Sequence, residues 1–358
     1  MNLKFSLFPL ERIARNWPGV YDGNFDDSQL PFEIIKDVYV ENVSDLIPKH
    51  EFDYCKAHLG SETVQHLEKV SYAIIHRFPG FQRDPVTGKC AFEPELVESS
   101  RDLIQRIVAC LRLIRPTPQH AQFMGGEVES DGTLRHFHFD NPYTFIQSVP
   151  NQQLFAIRTC DLEALRFYAP LFIEAIAGEY WKYVMAVDMF QSGFFQHSHW
   201  KLRCFMWTAA LEALYTSHTS AQHRGALVAK ERIKWLLGEN TLIYPVGELS
   251  EFDNDPGLTV GGVIDEIYCL RNHIAHGDKV PDYYFTAEGR TRDDGSVIAR
   301  GDMLMEAISS IVRQSLLLIL KNGLLPHFKD STASENYFKG LTKTILERGN
   351  PSYFKCPK

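Results

Sequence analysis

The chain has no apolar run long enough to span a bilayer. The best one, residues 316–320, stops at Lys321, against the roughly 18–20 residues a helical span needs. It has no basic excess either. Lys and Arg number 37 against 45 Asp and Glu, a formal net charge of −8. That balance argues against a general nucleic-acid coat protein and leaves room for a nuclease with a local basic site. No G-x-x-x-x-G-K-[ST] and no G-x-S-x-G occurs, so nucleotide-hydrolase and esterase readings have no motif behind them. The seven cysteines are odd in number, scattered, and never form C-x-x-C. Unpaired thiols in a reducing cytosol are the expectation. Residues 1–16 hold a short apolar patch, followed at once by Glu11, Arg12 and Arg15 without a small-residue cleavage site. A cytoplasmic protein made without a signal is therefore expected.

What is present is ordinary globular material. The 358 residues, 44% hydrophobic, suffice for two domains that each bury a core. Residues 1–158 read as a mixed α/β domain of unknown role. Strands are expected over 32–43, 133–139 and 153–158, with helices over 61–77 and 98–114. From Asp161, taken as an N-cap, the texture becomes nearly continuous helix. The helical segments are 161–177, kinked or split by Pro170, then 179–195, 200–215, 220–237, 258–276 and 302–321. A polar, hairpin-like stretch follows 276. Residues 329–358 read as a tail with six basic and three acidic residues. The expected fold is mainly α, with a helical bundle at 159–328 preceded by the smaller mixed α/β domain.

The most informative segment is 261–278, GGVIDEIYCLRNHIAHGD. Val260, Val263, Ile264, Ile267, Leu270 and Ile274 recur at helical spacing and define a buried stripe. Asn272 and His276 fall about 40° apart on another face, and Arg271 lies about 140° from His276 with a side chain long enough to reach around. His273 points about 160° from Arg271 and is expected on the surface. Gly277 suits the position just past the helix end, which puts His276 in the last turn, where the helix dipole favours a cation. A histidine beside an arginine suited to phosphate fits phosphodiester cleavage.

Arg271-Asn272-His273-Ile274-Ala275-His276 resembles the R-(polar)-x-x-x-H motif of the HEPN superfamily of helical-bundle ribonucleases and nucleotide-associated proteins. Upstream, Arg203-Cys204-Phe205-Met206-Trp207-Thr208-Ala209-Ala210-Leu211-Glu212-Ala213-Leu214 resembles the corresponding helix of Apea-like HEPN domains. The resemblance covers about residues 161–321. It implies a homodimer whose two motif helices face each other across a two-fold axis and line one composite cleft. It also implies a metal-independent endoribonuclease without cofactor, in which the RNA 2′-hydroxyl attacks to leave a cyclic phosphate and a 5′-hydroxyl. On this resemblance His276 is the general acid or base, Arg271 neutralises charge on the phosphorane, and Asn272 binds phosphate or orients His276. Glu212 is the candidate to hold Arg271. A bacterial toxin or phage-defence effector, with RNA as partner, residues 1–158 sensing a trigger or regulatory protein, and no membrane, is the implied setting. One subfamily pattern, R-x4-H-x-Y, is not met, because Asp278 stands where the Tyr would be.

Two other readings remain open. One is a catalytically silent HEPN module that dimerises and binds RNA, nucleotide or a protein. The other is a metal hydrolase using His136 and His138, which share one face of a strand with Asp140. His197-x-His199 and Cys55-x-x-His58 lack the second half of a metal site. Lys201, Arg203, Arg224, Lys230, Arg232 and Lys234, with Arg290, Arg292 and Arg300, are candidates for a phosphate-attracting rim.

Overall fold

The computed structural model describes residues 3–10, 26–46, 72–79, 94–116, 123–128, 134–140, 157–195, 199–244, 258–286 and 299–347. Helix dominates these residues, alongside one six-stranded sheet. The chain forms two compact units. The division falls between Ile173 and Glu174, inside a helix.

The first unit holds β1 (Leu3–Leu10), β2 (Phe32–Ile35), β3 (Val38–Asn42), β4 (Tyr72–Pro79), β5 (Phe123–Val128) and β6 (Leu134–Asp140). They form one sheet in the order β2-β3-β4-β1-β5-β6, antiparallel throughout. Helix α1 (Pro94–Ile114) packs on β1 and β4 and buries Ile104, Ile107, Val108 and Leu111. The helix expected over 61–77 is corrected here: 72–77 belong to β4, and 61–71 lie outside the described residues. Tyr72, Ala73, Ile74 and Ile75 are all buried. A strand covered on both faces loses the apolar/polar alternation that would mark it, so its short apolar run reads equally as helix. The single strand expected over 32–43 is a hairpin, turned at Asp37, whose φ of 64° is a conformation Asp tolerates. Most of the strand expected over 153–158 lies outside the described residues.

Helix α2 (Thr159–Ala177) starts two residues before the expected N-cap and runs through Pro170, which is exposed. Asp161 therefore sits in the first turn. It accepts the Arg158 backbone N–H at 2.9 Å and takes two 3.0 Å bonds from the Arg115 guanidinium. Both side chains are buried, so each charge is compensated by the other.

The second unit is helical: α3 (Trp181–Phe195), α4 (Trp200–Tyr215), α5 (His218–Leu237), α6 (Val260–His276), α7 (Arg300–Lys321) and α8 (Ser331–Glu347). A two-stranded ribbon, β7 (Leu242–Tyr244) with β8 (Leu258–Thr259), leads into α6. Helices α3 and α4 approach closely because Gly193 has no side chain. A Cβ there would meet Trp207 Nε1 at 2.3 Å. The indole fills that space, donates to the Phe190 carbonyl at 3.0 Å, and packs on Phe190 and Phe194. Although no uninterrupted apolar run spans it, helix α7 is long and apolar enough overall to cross a membrane by length and composition, and most of it is buried within the protein. Met303 through Leu320 supply much of the core of this unit.

The expected basic tail contains α8, which is packed and not free. Arg232, fully buried on α5, donates to both Glu335 oxygens at 3.0 and 2.7 Å and to Thr342 at 2.6 Å. Phe338 lies under the same guanidinium, against Tyr215, Trp235 and Phe328. Lys182 of α3 donates to the Thr216 carbonyl nearby. Burial, aided by the Arg232 charge and opposed by Glu335 and Asp330, pulls its ammonium down to about 8.

Two outcomes follow from this packing. Gly193→Ala forces Trp207 to move and should lower the unfolding free energy by about 1–3 kcal/mol in urea titration. Lys182 binds its proton more weakly folded than unfolded, so stability should rise with pH between about 8 and 10.5. Relative to Lys182→Met, that gain should approach about 3 kcal/mol, and below pH 8 it should be absent.

Candidate functional site

Helix α6 begins at Thr259, whose hydroxyl accepts the Gly262 N–H at 3.2 Å as an N-cap. The close entry of the chain relies on Gly261, where a Cβ would strike the Glu239 side chain at 2.3 Å. Val260, Val263, Ile264, Ile267 and Leu270 are fully buried against α4, α5 and α7, while Ile274 is only half-buried. At the other end the Asp278 N–H reaches the His273 carbonyl at 2.9 Å and the Gly277 N–H reaches Ile274 at 3.3 Å, with Gly277 at φ 72°. This is a Schellman termination, which needs a left-handed residue at that point.

The polar residues sit where burial ends. Arg271 is half-buried, and Asn272 and His276 are exposed. Arg271 donates through Nη2 to Glu212 Oε2 at 3.1 Å and through Nη1 to Asn272 Oδ1 at 3.2 Å, and its Cζ lies 5.8 Å from the Phe205 ring centroid. One guanidinium thus engages a carboxylate, an amide and an aromatic face, a combination available to Arg and not to Lys. Among the described residues His276 makes no hydrogen bond or ion pair to this group. It projects from the last turn, one turn beyond Asn272. His273 differs from expectation: it is half-buried, and its Nδ1 is shielded without a hydrogen-bond partner among the described residues.

Helix α4 supplies the facing wall. Cys204, Trp207, Ala210, Leu211, Leu214 and Tyr215 are buried, but Lys201, Leu202 and Phe205 are exposed. The helix is therefore two-sided, not enclosed. Glu212 is half-buried on the open side. Behind it, Tyr268 is 2% exposed, and its hydroxyl has no hydrogen-bond partner among the described residues. Burial pushes its phenol far up, with the Glu212 carboxylate adding to the rise and Arg271 opposing it. Burial likewise pushes the Cys204 thiol up to about 12, which leaves it inert as a nucleophile at neutral pH.

Four residues of the expected basic rim are committed elsewhere. Lys230 pairs with Asp265, and Lys234 reaches Glu231 at 3.3 Å and Asp265 at 3.8 Å. Arg232 is buried, and Arg300 donates two bonds, 3.2 and 2.6 Å, to Glu266, itself only 4% exposed. Arg290 and Arg292 lie outside the described residues. Cys110, Cys160 and Cys204 carry the free thiols expected, whereas Cys269, two residues before Arg271, is disulfide-bonded. His136 and His138 occupy alternate positions of β6 with Asp140; Cys55, His58 and His197 lie outside the described residues. Among the described residues no group of three or more His, Cys, Asp and Glu side chains could hold a metal ion.

Sequence reasoning had singled out Arg271, Asn272, His276 and Glu212, and the structure joins the first two to the last. It missed Phe205, whose signal was available: Phe205 and Glu212 are seven residues apart and share one helix face within about 20°. It also missed Tyr268 and the Glu266–Arg300 pair, because burial of a polar group on an apolar stripe is set by neighbouring helices. Comparison with known proteins identifies no relative: no family model, curated protein or solved structure matches the chain.

The Arg271–Glu212 pair keeps 23% and 28% of its side chains exposed, so solvent screens it. A double-mutant cycle of Arg271→Ala and Glu212→Ala, read by urea unfolding, should give a coupling of about 0.5–1 kcal/mol. Zero coupling would mean the pair is not held in solution.

Proposed function

We propose that this protein is a metal-independent endoribonuclease of HEPN type, acting as a toxin or antiviral effector in the cytoplasm. The observation that carries the reading is the placement of Arg271, Asn272 and His276 at the more open end of a helix whose apolar stripe from Val260 to Leu270 is buried, with Arg271 already oriented by Glu212. In the reaction the RNA 2′-hydroxyl attacks the adjacent phosphorus, the 5′-oxygen departs with a proton, and a 2′,3′-cyclic phosphate remains. His276 moves the proton, Arg271 neutralises the charge gathering on the phosphorane, and Asn272 hydrogen-bonds a phosphate oxygen. Two copies, with motif helices facing across a two-fold axis, line one cleft. Glu212 has a double effect: it holds the guanidinium in place and offsets part of its charge.

That second effect favours one other reading. A guanidinium already paired with a carboxylate also suits a catalytically silent module that dimerises and binds RNA, nucleotide or a protein without cutting.

Purified protein in EDTA should cleave RNA and leave 2′,3′-cyclic ends. His276→Ala and Arg271→Ala, each checked for fold by circular dichroism, should lose at least about 100-fold of that rate. Cleavage that survives in His276→Ala would remove the assignment. No cleavage by the wild type, with or without cell lysate as a source of trigger, would select the silent module.

A further inference from the structure

Tyr268 is buried on α6 at a position where its hydroxyl is a cost. It is 2% exposed, and the hydroxyl has no hydrogen-bond partner among the described residues. A phenylalanine would fill the same space without burying an unpaired polar group. Tyr215, buried three residues past Glu212 on α4, differs: its hydroxyl meets Ser315 Oγ at 2.7 Å. Tyr268 stands three residues before Arg271, so the two are neighbours on one side of α6. Burial raises its phenol, and the Glu212 carboxylate raises it further, so at neutral pH the group keeps its proton and can donate. Glu212 has a free acceptor to offer. Its Oε2 accepts from Arg271 at 3.1 Å, while Oε1 accepts nothing among the described residues.

The same residues pose a conflict. Arg271 is to meet a phosphate, yet its guanidinium is already held by Glu212. Drawing it away strips a half-buried carboxylate of its countercharge, which is unfavourable unless another donor replaces it. We propose that Tyr268 is a positioning residue whose hydroxyl takes over Glu212 when a phosphate draws Arg271 away. The inference rests on the ribonuclease reading for the ligand that moves Arg271, and it adds the group that makes the exchange possible. Tyr268 touches no RNA and acts through Glu212. With Arg271 docked on the carboxylate the hydroxyl is unpaired, which raises the free energy of the resting state. With Arg271 on the phosphate the hydroxyl makes a charge-assisted bond, which lowers that of the bound state. Both effects favour release of the guanidinium.

The first test needs no RNA. Tyr268→Phe in the wild-type chain should raise the urea unfolding midpoint or leave it unchanged, because an unpaired hydroxyl is removed. In an Arg271→Ala background, where Glu212 is already released, the same substitution should lower the midpoint. A lowered midpoint in both backgrounds, or in neither, overturns the inference. The second test is fluorescence anisotropy in EDTA with a fluorescein-labelled 2′-O-methyl oligoadenylate, which has no free 2′-hydroxyl and so survives. Tyr268→Phe should weaken its binding by about 10-fold. In a Glu212→Gln background, where no charge needs a new donor, adding Tyr268→Phe should change affinity by less than about 2-fold. An equal loss in both backgrounds marks a merely structural role and also overturns the inference. Circular dichroism should show each variant folded. The sign reversal without RNA binding or cleavage by the wild type keeps the exchange at Glu212 and removes the nuclease. Cleavage by the wild type without the reversal keeps the nuclease and removes the exchange.

Discussion

The candidate site depends on how α6 stops being buried. From Val260 to Leu270 the apolar stripe of the helix is buried against α4, α5 and α7, and from Arg271 to the helix end no residue is buried. A helix held along its apolar stripe presents its next residues at fixed angles, so the enclosed part acts as a mount for the open part. The left-handed turn at Gly277 ends the helix within the turn that carries His276. Removing that turn would let the chain continue as helix and carry the following residues elsewhere.

Two arginines of the second unit hold helices together. Arg300 ties the start of α7 to Glu266 on α6, and Arg232 ties α8 to α5 through Glu335. These pairs are largely desolvated, so their net stabilisation is small beside the cost of breaking one partner away, about 3–5 kcal/mol. Their effect is to fix which helices meet. The consequence for function is subtraction: Lys230, Arg232, Lys234 and Arg300, which look like part of a basic rim along the sequence, face carboxylates instead. Arg271 and Lys201 are left near the open face of α4, and Arg271 is itself shared with Glu212.

Helices were the legible part of the sequence. The segments 200–215 and 258–276 lie within a residue or two of α4 and of β8 with α6; the second has an apolar stripe at helical period and a glycine just past its end. Strand β4 was not legible, since Tyr72 to Ile75 are apolar without alternation. Nor was the enclosure of α4: its composition is apolar all round, yet Leu202 and Phe205 face outward. Local pattern says that a side is apolar and not whether a neighbour covers it.

The sequence by itself determined where α3 to α7 run, though not α8, that α6 ends at a glycine, and that Arg271, Asn272 and His276 occupy its last turns. These are local matters of periodicity, capping and left-handed backbone, decided within a few residues. Only the tertiary structure decided that Glu212, fifty-nine residues upstream, meets Arg271, that Phe205 lies beside the same guanidinium, and that Arg232 faces inward. Those contacts join residues from separate helices, and their positions follow from how the helices pack, which no single stretch of chain encodes.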